Sequence, residues 1–577
     1  MEHETLARRL AATAAGLWLS AAGSALAAGT ATPTDIPGVE VIGAVSAESL
    51  LGEFQTIYGT DQVNPPFELG TMGYAVRTTQ PFVGVRTYVQ PRDMPGKAGQ
   101  VGGWVMPIAQ LRGLTSAEIQ ANWALPIYAD GTRNNMLTLV VVPAGVTFWS
   151  GVAGPITDAV DGTGDWGQGG GIQYYVGWGA AGVQSYQVPA ANYVVTGAAD
   201  PGPVLVYGPR LSGSARIVGG YLDGLPVAAY SDLDRALLTL DVLNLTSPTD
   251  PAPLEAAVRQ LSPEIYGAVP RVVDHQSGLF LDALGRRADS KTGAWVVATG
   301  ASAEFDGSAE VTGYRATSRA GMAGADFSGR DGLTLGVGGA WLTSRLDWRD
   351  AGSSTGTADT AMLGAHGSYR MGPVLLSGQI AGGMGWGEVD RRIAVADSGA
   401  LPGISTAIGR TARGEPKTSA VAARLDAGVT TTLFGSARVR PFVGLQYAHV
   451  DRRGFTEHGA DDLDLVVGGW NGHSLRSRLG VGASHDLGAT GPLEWSVDGG
   501  LLWTRRLSAS SADVSAGLVG QPGSFTVGAA PESPWGLQPS LGLTGRFGGG
   551  HLNARYEDDL RKDYRAQAII AEVALNF

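Results

Sequence analysis

Residues 569–577 read Ile569-Ile570-Ala571-Glu572-Val573-Ala574-Leu575-Asn576-Phe577. Ile569, Ala571, Val573, Leu575 and Phe577 fall on one face, and Glu572 and Asn576 on the other. Period two is the mark of a β-strand, whose successive side chains point to opposite faces. The pattern recurs from Lys291 onward. Leu425, Val429 and Leu433 oppose Arg424 and Asp426; Leu475, Leu479, Val481 and Ala483 oppose Arg476, Arg478 and Ser484. Leu493, Trp495, Val497, Leu501 and Trp503 oppose Glu494, Ser496 and Asp498. With Gly, Asp and Ser turns as boundaries, this half predicts twelve strands. They cover 294–306, 314–328, 333–348, 358–371, 373–393, 419–434, 437–453, 473–487, 492–507, 535–547, 550–560 and 564–577.

Alternation fits two architectures. A soluble sandwich turns its polar face to water, whereas a transmembrane barrel turns its apolar face to lipid. Three features favour the barrel. Trp341, Trp348, Trp386, Trp495, Trp503 and Trp535 fall near strand ends, as interfacial girdles do. Short turns such as Gly548-Gly549-Gly550 alternate with long polar loops such as Asp390 to Thr418. The sequence stops on a strand ending in Phe577. An even strand count of this size also suits a bacterial barrel, with a lumen wide enough for one helix.

The bulk composition agrees. A chain of 577 residues exceeds what one core organises, so at least two domains are expected. Charged residues make up 16%, and glycine reaches 87 copies, which fits neither disorder nor an ordinary helical enzyme. A net charge of −12 argues against nucleic acid as a partner. There is no cysteine, so no disulfide framework exists. Arg8 and Arg9 precede an apolar run from Leu10 to Leu19, then Ala25-Leu26-Ala27, a small-x-small cleavage pattern. Residues 1–27 read as a signal peptide cleaved after Ala27, which implies the Sec translocon. No later run is long enough for a membrane helix, so a membrane span here must be a barrel.

The C-terminal half resembles the autotransporter (type V secretion) translocator domain. The resemblance covers about Pro253 to Phe577. It rests on Leu261-Ser262-Pro263-Glu264-Ile265-Tyr266 through Arg286-Arg287, the twelve strands, His551-Leu552-Asn553-Ala554-Arg555-Tyr556-Glu557, and Phe577. It implies a helix threading the lumen, an outer-membrane location, and Phe577 as the signal read by the barrel assembly machinery. The helix has independent support: Ser262 is a good N-cap, Pro263 suits the first position, and Glu264 favours the positive dipole end. Pro270 is expected to kink or break it. Some family members cleave their passenger at an Asn-Asn pair on this helix; no Asn lies between Ser262 and Gly293, so that route is not expected. The expected division is 1–27 signal peptide, 28–228 surface passenger, 229–290 helical linker and lumen helix, and 291–577 barrel.

The passenger shows no repeat. Its apolar runs, Gly/Pro breaks and one helix near Ser116 to Trp123 suggest a compact α+β or mostly-β domain. No histidine lies between Ala28 and Asp274, which excludes a Ser-His-Asp triad, a Cys-His dyad and a His-based zinc site there. No cofactor or metal is expected. The series Gly103-Trp104-Val105-Met106-Pro107, Ala124-Leu125-Pro126, Val142-Pro143-Ala144-Gly145, Gly154-Pro155-Ile156 and Trp166 to Tyr174 resembles the necrotizing-toxin type of NAD glycohydrolase domain. That resemblance implies Gln173 as an active-site amide, with Gly169, Gly170 and Gly171 in the cofactor turn. The departures are basic: Trp123 stands where that family has Arg, and Met136 to Val142 lacks its His. That family also has an Arg-Phe-Gly ahead of the first motif, where Arg92 and Lys97 here are out of register, and without those arginines a pyrophosphate site loses its strongest bonds. A display protein with a binding or structural passenger is therefore the expected function, its ligand unspecified, and a degenerate NAD glycohydrolase is the alternative. Asp158, Asp161 and Asp165 read as a solvated acidic loop lacking the Glu that closes an EF-hand. Phe148-Trp149 and Tyr174-Tyr175 could form an aromatic ligand platform or pack in a core.

Overall fold

The computed structural model describes residues 32–58, 65–88, 103–127, 134, 136–157, 164–176, 184–187, 203–247, 249–308, 311–329, 332–349, 352–401, 404–433, 437–528 and 533–577. Residues 1–27 with Ala27, and Asp158 and Asp161, lie outside that set. The chain divides into two units. One comprises Met1–Tyr207, Leu222–Leu254 and Ala396–Ala407; the other Gly208–Tyr221, Glu255–Val395 and Ile408–Phe577.

The second unit is built on twelve long strands: Gly293–Phe305, Tyr314–Ser328, Leu333–Trp348, Thr355–Met371, Val374–Val395, Lys417–Val429, Ala437–Arg452, Trp470–Thr490, Leu493–Ala509, Trp535–Phe547, Gly550–Arg561 and Tyr564–Asn576. Each pairs antiparallel with the next, and the twelfth pairs with the first from Asn576↔Gly293 to Tyr564↔Phe305. The sheet is thus closed, which removes its edges.

The faces are inverted relative to a soluble sheet. Leu363 is 76% exposed and Leu425 67% on the outside. Thr299, Ser318, Ser344, Thr360, Arg424 and Gln446 are buried on the inside. A water-soluble surface does not carry so continuous an apolar band, whereas a bilayer requires it. Trp341 and Trp386 stack at 6.1 Å on that outer surface. Trp348, expected in the girdle, is instead buried, because its position in the alternation points inward.

Two departures from expectation lie at the ends of strands. Much of the stretch Asp390 to Thr418 is hairpin rather than loop. The fifth strand runs on to Val395 and pairs with Ile408–Gly414, from Val389↔Gly414 to Val395↔Ile408. The connections after the seventh and ninth strands also form a small sheet of their own, ordered Phe455–Thr456, Leu465–Val467, Val514–Leu518 and Phe525–Val527.

A helix occupies the lumen. A 3-10 turn, Glu264–Gly267, leads into the α-helix Ala268–Arg286. The Ser262 hydroxyl accepts from the Glu264 N–H at 3.3 Å, so it caps the turn rather than the helix itself. Pro270 neither kinks nor breaks the helix. It is the third residue, where the N–H has no intrahelical acceptor to lose. Leu279, Phe280, Ala283 and Leu284 pack on Trp295, Val297, Leu342, Met362, Ala381 and Ala422 of the wall. Gly364 permits this approach: a Cβ there would lie 2.8 Å from Leu284 and 2.9 Å from Phe280. Among the described residues, no helix is long and apolar enough to cross a membrane.

The first unit mixes sheet and helix. Its eight strands pair in the order Val39–Ser46, Met72–Thr78, Thr147–Val152, Ile172–Tyr175, Trp104–Pro107, Phe82–Tyr88, Met136–Val142 and Gln184–Gln187. Leu137, Leu139 and Val141 enter one apolar cluster, while Val140 and Val142 enter another. That explains why Met136–Val142 reads as an unbroken apolar run. The helix Ser116–Asn122 starts at a capping box formed by Thr115 and Glu118. The helix Asp232–Thr246 is capped by Ser231.

Candidate functional site: the barrel lumen and its helix

Polar inward positions on a barrel wall need partners, and the helix supplies them. At its C-terminal end, Arg287 is fully buried. Its Nε and Nη2 donate to Asp326 Oδ2 at 2.9 and 2.7 Å, and its Nη1 donates to Glu572 Oε1 at 2.6 Å. His366 Nε2 lies 2.9 Å from Asp326 Oδ1, and His551 Nε2 lies 3.2 Å from Glu572 Oε1. A guanidinium at a helix C-terminus also meets the negative end of the dipole. One side chain therefore ties the helix base to the second and twelfth strands.

Midway, Gln276 Nε2 donates to Ser344 Oγ at 2.8 Å and to the Ala358 carbonyl at 3.2 Å, while Thr360 Oγ1 donates to Gln276 Oε1 at 2.6 Å. Arg424 Nη1 donates to Asp282 at 2.6 Å, and Arg476 Nη2 to Asp274 at 2.7 Å. At the helix entry, Tyr266 donates to Glu457 Oε1 at 2.6 Å. Arg391 clamps the same carboxylate through Nε at 2.9 Å and Nη2 at 2.5 Å, and donates to the carbonyls of Gln260 and Leu463. Arg452 Nη2 donates to the Gly468 carbonyl at 2.8 Å. Buried ion pairs such as these add little net stability, but breaking one leaves a naked charge, so they fix register. A cavity of about 340 Å³ remains beside the helix, bordered by Asp274, Asp282, Arg424, Arg478 and Arg555. That is space for about ten waters.

Sequence reasoning placed Arg424, Arg476 and Arg478 on the inner face but did not foresee Arg287, Asp326 and Glu572 as a joint. The available signal was charge at inward positions: Asp326, His366 and Glu572. Phe577 is 86% exposed beside the twelfth strand.

In the first unit, the candidate turn is held internally. Gly169 N donates to the Ala121 carbonyl, Gly170 N to Ala153 and Gly171 N to Asn122. Gln173 Nε2 donates to the Pro66 carbonyl at 2.7 Å. Trp123 is buried, and its Nε1 donates to the Ile172 carbonyl at 2.7 Å; a Cβ at Gly171 would meet its ring at 2.4 Å. Asp165 accepts from the Gly167 N–H at 2.8 Å. Phe148 and Tyr174 pack edge-on at 5.6 Å within a core, and Tyr175 packs on Phe54 and Trp104.

The most buried charges of this unit are elsewhere. Arg112 Nε and Nη2 donate to Asp241 Oδ2 at 2.9 and 2.6 Å, and its Nη1 to Asp234 at 2.5 Å. Tyr207 donates to Asp241 Oδ1 at 2.6 Å. Burial works against the guanidinium charge, but Asp241 and Asp234 outweigh it and raise the Arg112 pKa. Burial, then the Asp241 charge, pushes the Tyr207 phenol well above its ordinary value.

Residues 294–557 match the family model described as the autotransporter β-domain. No curated protein matches the chain. Among solved structures, the translocator domain of the autotransporter NalP from Neisseria meningitidis is similar, with 16% identity and a TM-score of 0.44, over 55% of this chain and 100% of that one. The β-domain of the Bordetella autotransporter BrkA is similar at 16% identity and a TM-score of 0.36, over 50% and 100%. The transport unit of AIDA-I from Escherichia coli is similar at 14% identity and 0.34, over 52% and 98%.

Proposed function

With its C-terminal half an autotransporter β-domain of the outer membrane, we propose that this chain anchors and displays its own N-terminal region at the cell surface. The observation that carries the reading is the lumen helix Ala268–Arg286, joined through Arg287 to Thr292 to the first barrel strand and tied to the wall at its base by Arg287 and at its entry turn by Arg452, which donates to the Tyr266 carbonyl. A helix so held is the tail of a chain that has passed through the barrel and remains in it. The proposed division is residues 1–27 as signal peptide, 28–228 as passenger, 229–290 as linker and lumen helix, and 291–577 as barrel. The Sec translocon carries the chain to the periplasm, and the barrel assembly machinery reads Phe577.

The passenger acts as a binding or structural module. The Gly169-Gly170-Gly171 amides are spent on backbone carbonyls and Trp123 fills the adjoining space, which supports a scaffold role for the turn. Protease added to intact cells should remove the N-terminal region and leave a membrane-embedded fragment of barrel size. Full protection of that region, or partitioning of the barrel fragment with soluble protein, overturns the display reading. Assayed with NAD at high protein concentration, the full chain should show no turnover. NAD loss abolished by Gln173→Ala would instead establish the glycohydrolase.

A further inference from the structure

The outer surface of the first three strands is layered by charge. The exposed Trp341 lies opposite Gly321 and marks the edge of the apolar band. One row nearer the long loops, Arg319 lies opposite Thr343 and Gly300, and its side chain is exposed. Another row on, Arg345 lies opposite Thr317 and Thr357, also exposed. The carboxylates of these strands stand a row further out, with Arg315 opposite both Glu304 and Asp347. Arg345 reaches Asp347 at 3.2 Å, in a contact open to solvent. Among the described residues no carboxylate lies within ion-pair distance of Arg319. Asp359, one strand beyond Thr343 and level with Arg319, has its Oδ1 buried without a hydrogen-bond partner among the described residues. Beneath Arg319 the sheet is low, because Gly300 and Gly321 face outward with open space where a Cβ would stand.

We propose that Arg319 and Arg345 form a docking site for the anionic phosphate headgroup of a membrane lipid, with an acyl chain lying over Gly300 and Gly321 beside Trp341. Arg319 and Arg345 are diagonal neighbours on adjacent strands, close enough for both guanidiniums to reach one phosphate. Their position at the aromatic boundary is where headgroup phosphates lie. On these three strands the outward carboxylates sit beyond that layer, and Asp359, level with Arg319 on the fourth strand, is the flanking acid.

The test uses the full chain in neutral detergent, titrated with phosphatidylglycerol or phosphatidylcholine of identical chains. Retention is read by native mass spectrometry and by quenching of tryptophan with brominated chains. Phosphatidylglycerol should be held roughly tenfold more tightly than phosphatidylcholine. R319Q/R345Q should abolish that preference while the heat-resistant mobility of the folded barrel is unchanged, and R319K should keep most of it. Unchanged preference in the double variant overturns the proposal. So does equal loss in R505A on the opposite wall, or full displacement of the lipid by millimolar inorganic phosphate, which would mark a free-anion site. Should the double variant fail to fold, R319Q alone must lower the preference or the proposal falls.

Discussion

Lys417–Val429 of the barrel and Met136–Val142 of the N-terminal unit are both strands with nearly every side chain out of water, yet they read differently. In the barrel strand, Leu425 faces lipid while its neighbour Arg424 is buried against Asp282 and Gln446. In the N-terminal strand, Leu139 and Val140 point to opposite faces and both meet apolar clusters. The first must match two unlike surroundings, so it alternates; the second matches the same surroundings twice, so it does not. Alternation therefore reports a difference between two faces and not which face is inside.

Substitutions can press on that contrast. The largest effect is expected for Arg287→Ala, which removes the cation bridging both acids and leaves Asp326 only His366 and Glu572 only Arg286 and His551; unfolding in lipid vesicles should show a loss of about 3–5 kcal/mol. A loss under 1 kcal/mol would mean the lumen is wet enough to solvate both acids. Next comes Leu139→Ala, which opens a cavity between packed layers at about 2–5 kcal/mol. It should speed proteolysis of the N-terminal region and leave barrel unfolding untouched; a matching shift in the barrel would show the two units unfold as one. Leu425→Arg puts a charge on the lipid face at about 2–4 kcal/mol, measured in the same vesicles. No penalty there would place Leu425 outside the hydrocarbon.

The smallest expected change is Tyr207→Phe, at about 1–3 kcal/mol, through loss of the hydrogen bond to Asp241. Here pH adds a second reading. The phenol's folded pKa lies above its unfolded value, so its contribution is complete below the ordinary tyrosine range and is lost as pH rises past it. The N-terminal unit should therefore weaken above about pH 10, and the Phe variant should lack that slope. An identical alkaline slope in both proteins would assign it to another group.

The barrel was legible because each strand is long and its two faces differ, so that turns such as Gly548-Gly549 stand out. Its ends came within a few residues of those read from the alternation. What escaped reading were elements too short to show a period. Phe455–Thr456 and Leu465–Val467 are strands only because they pair with each other and, for the second, with Val514–Leu518 of another connection. Pro270 misled for a related reason: its effect depends on its position within the helix, and the helix begins at Ala268 rather than Pro263. The lumen joints were half visible. Arg424 and Arg476 announced a polar interior, but which acid meets which base is set by strand order, as with Arg287 drawing on the second and twelfth strands at once.

That last joint bears on timing. The twelfth strand pairs with the first, so the contact closing the barrel is also the one most distant along its sequence, and chain entropy makes such contacts slow to form. Until then the first strand, with Gly293 at its start, has an open edge. Arg287 likewise has only one of its two acids, because Glu572 travels on the closing strand. Closure and completion of this joint are thus a single event. A barrel that stalls before it carries a half-made joint at its base, with guanidinium donors of Arg287 still unused, and two unpaired edges, features by which an unfinished molecule differs chemically from a finished one.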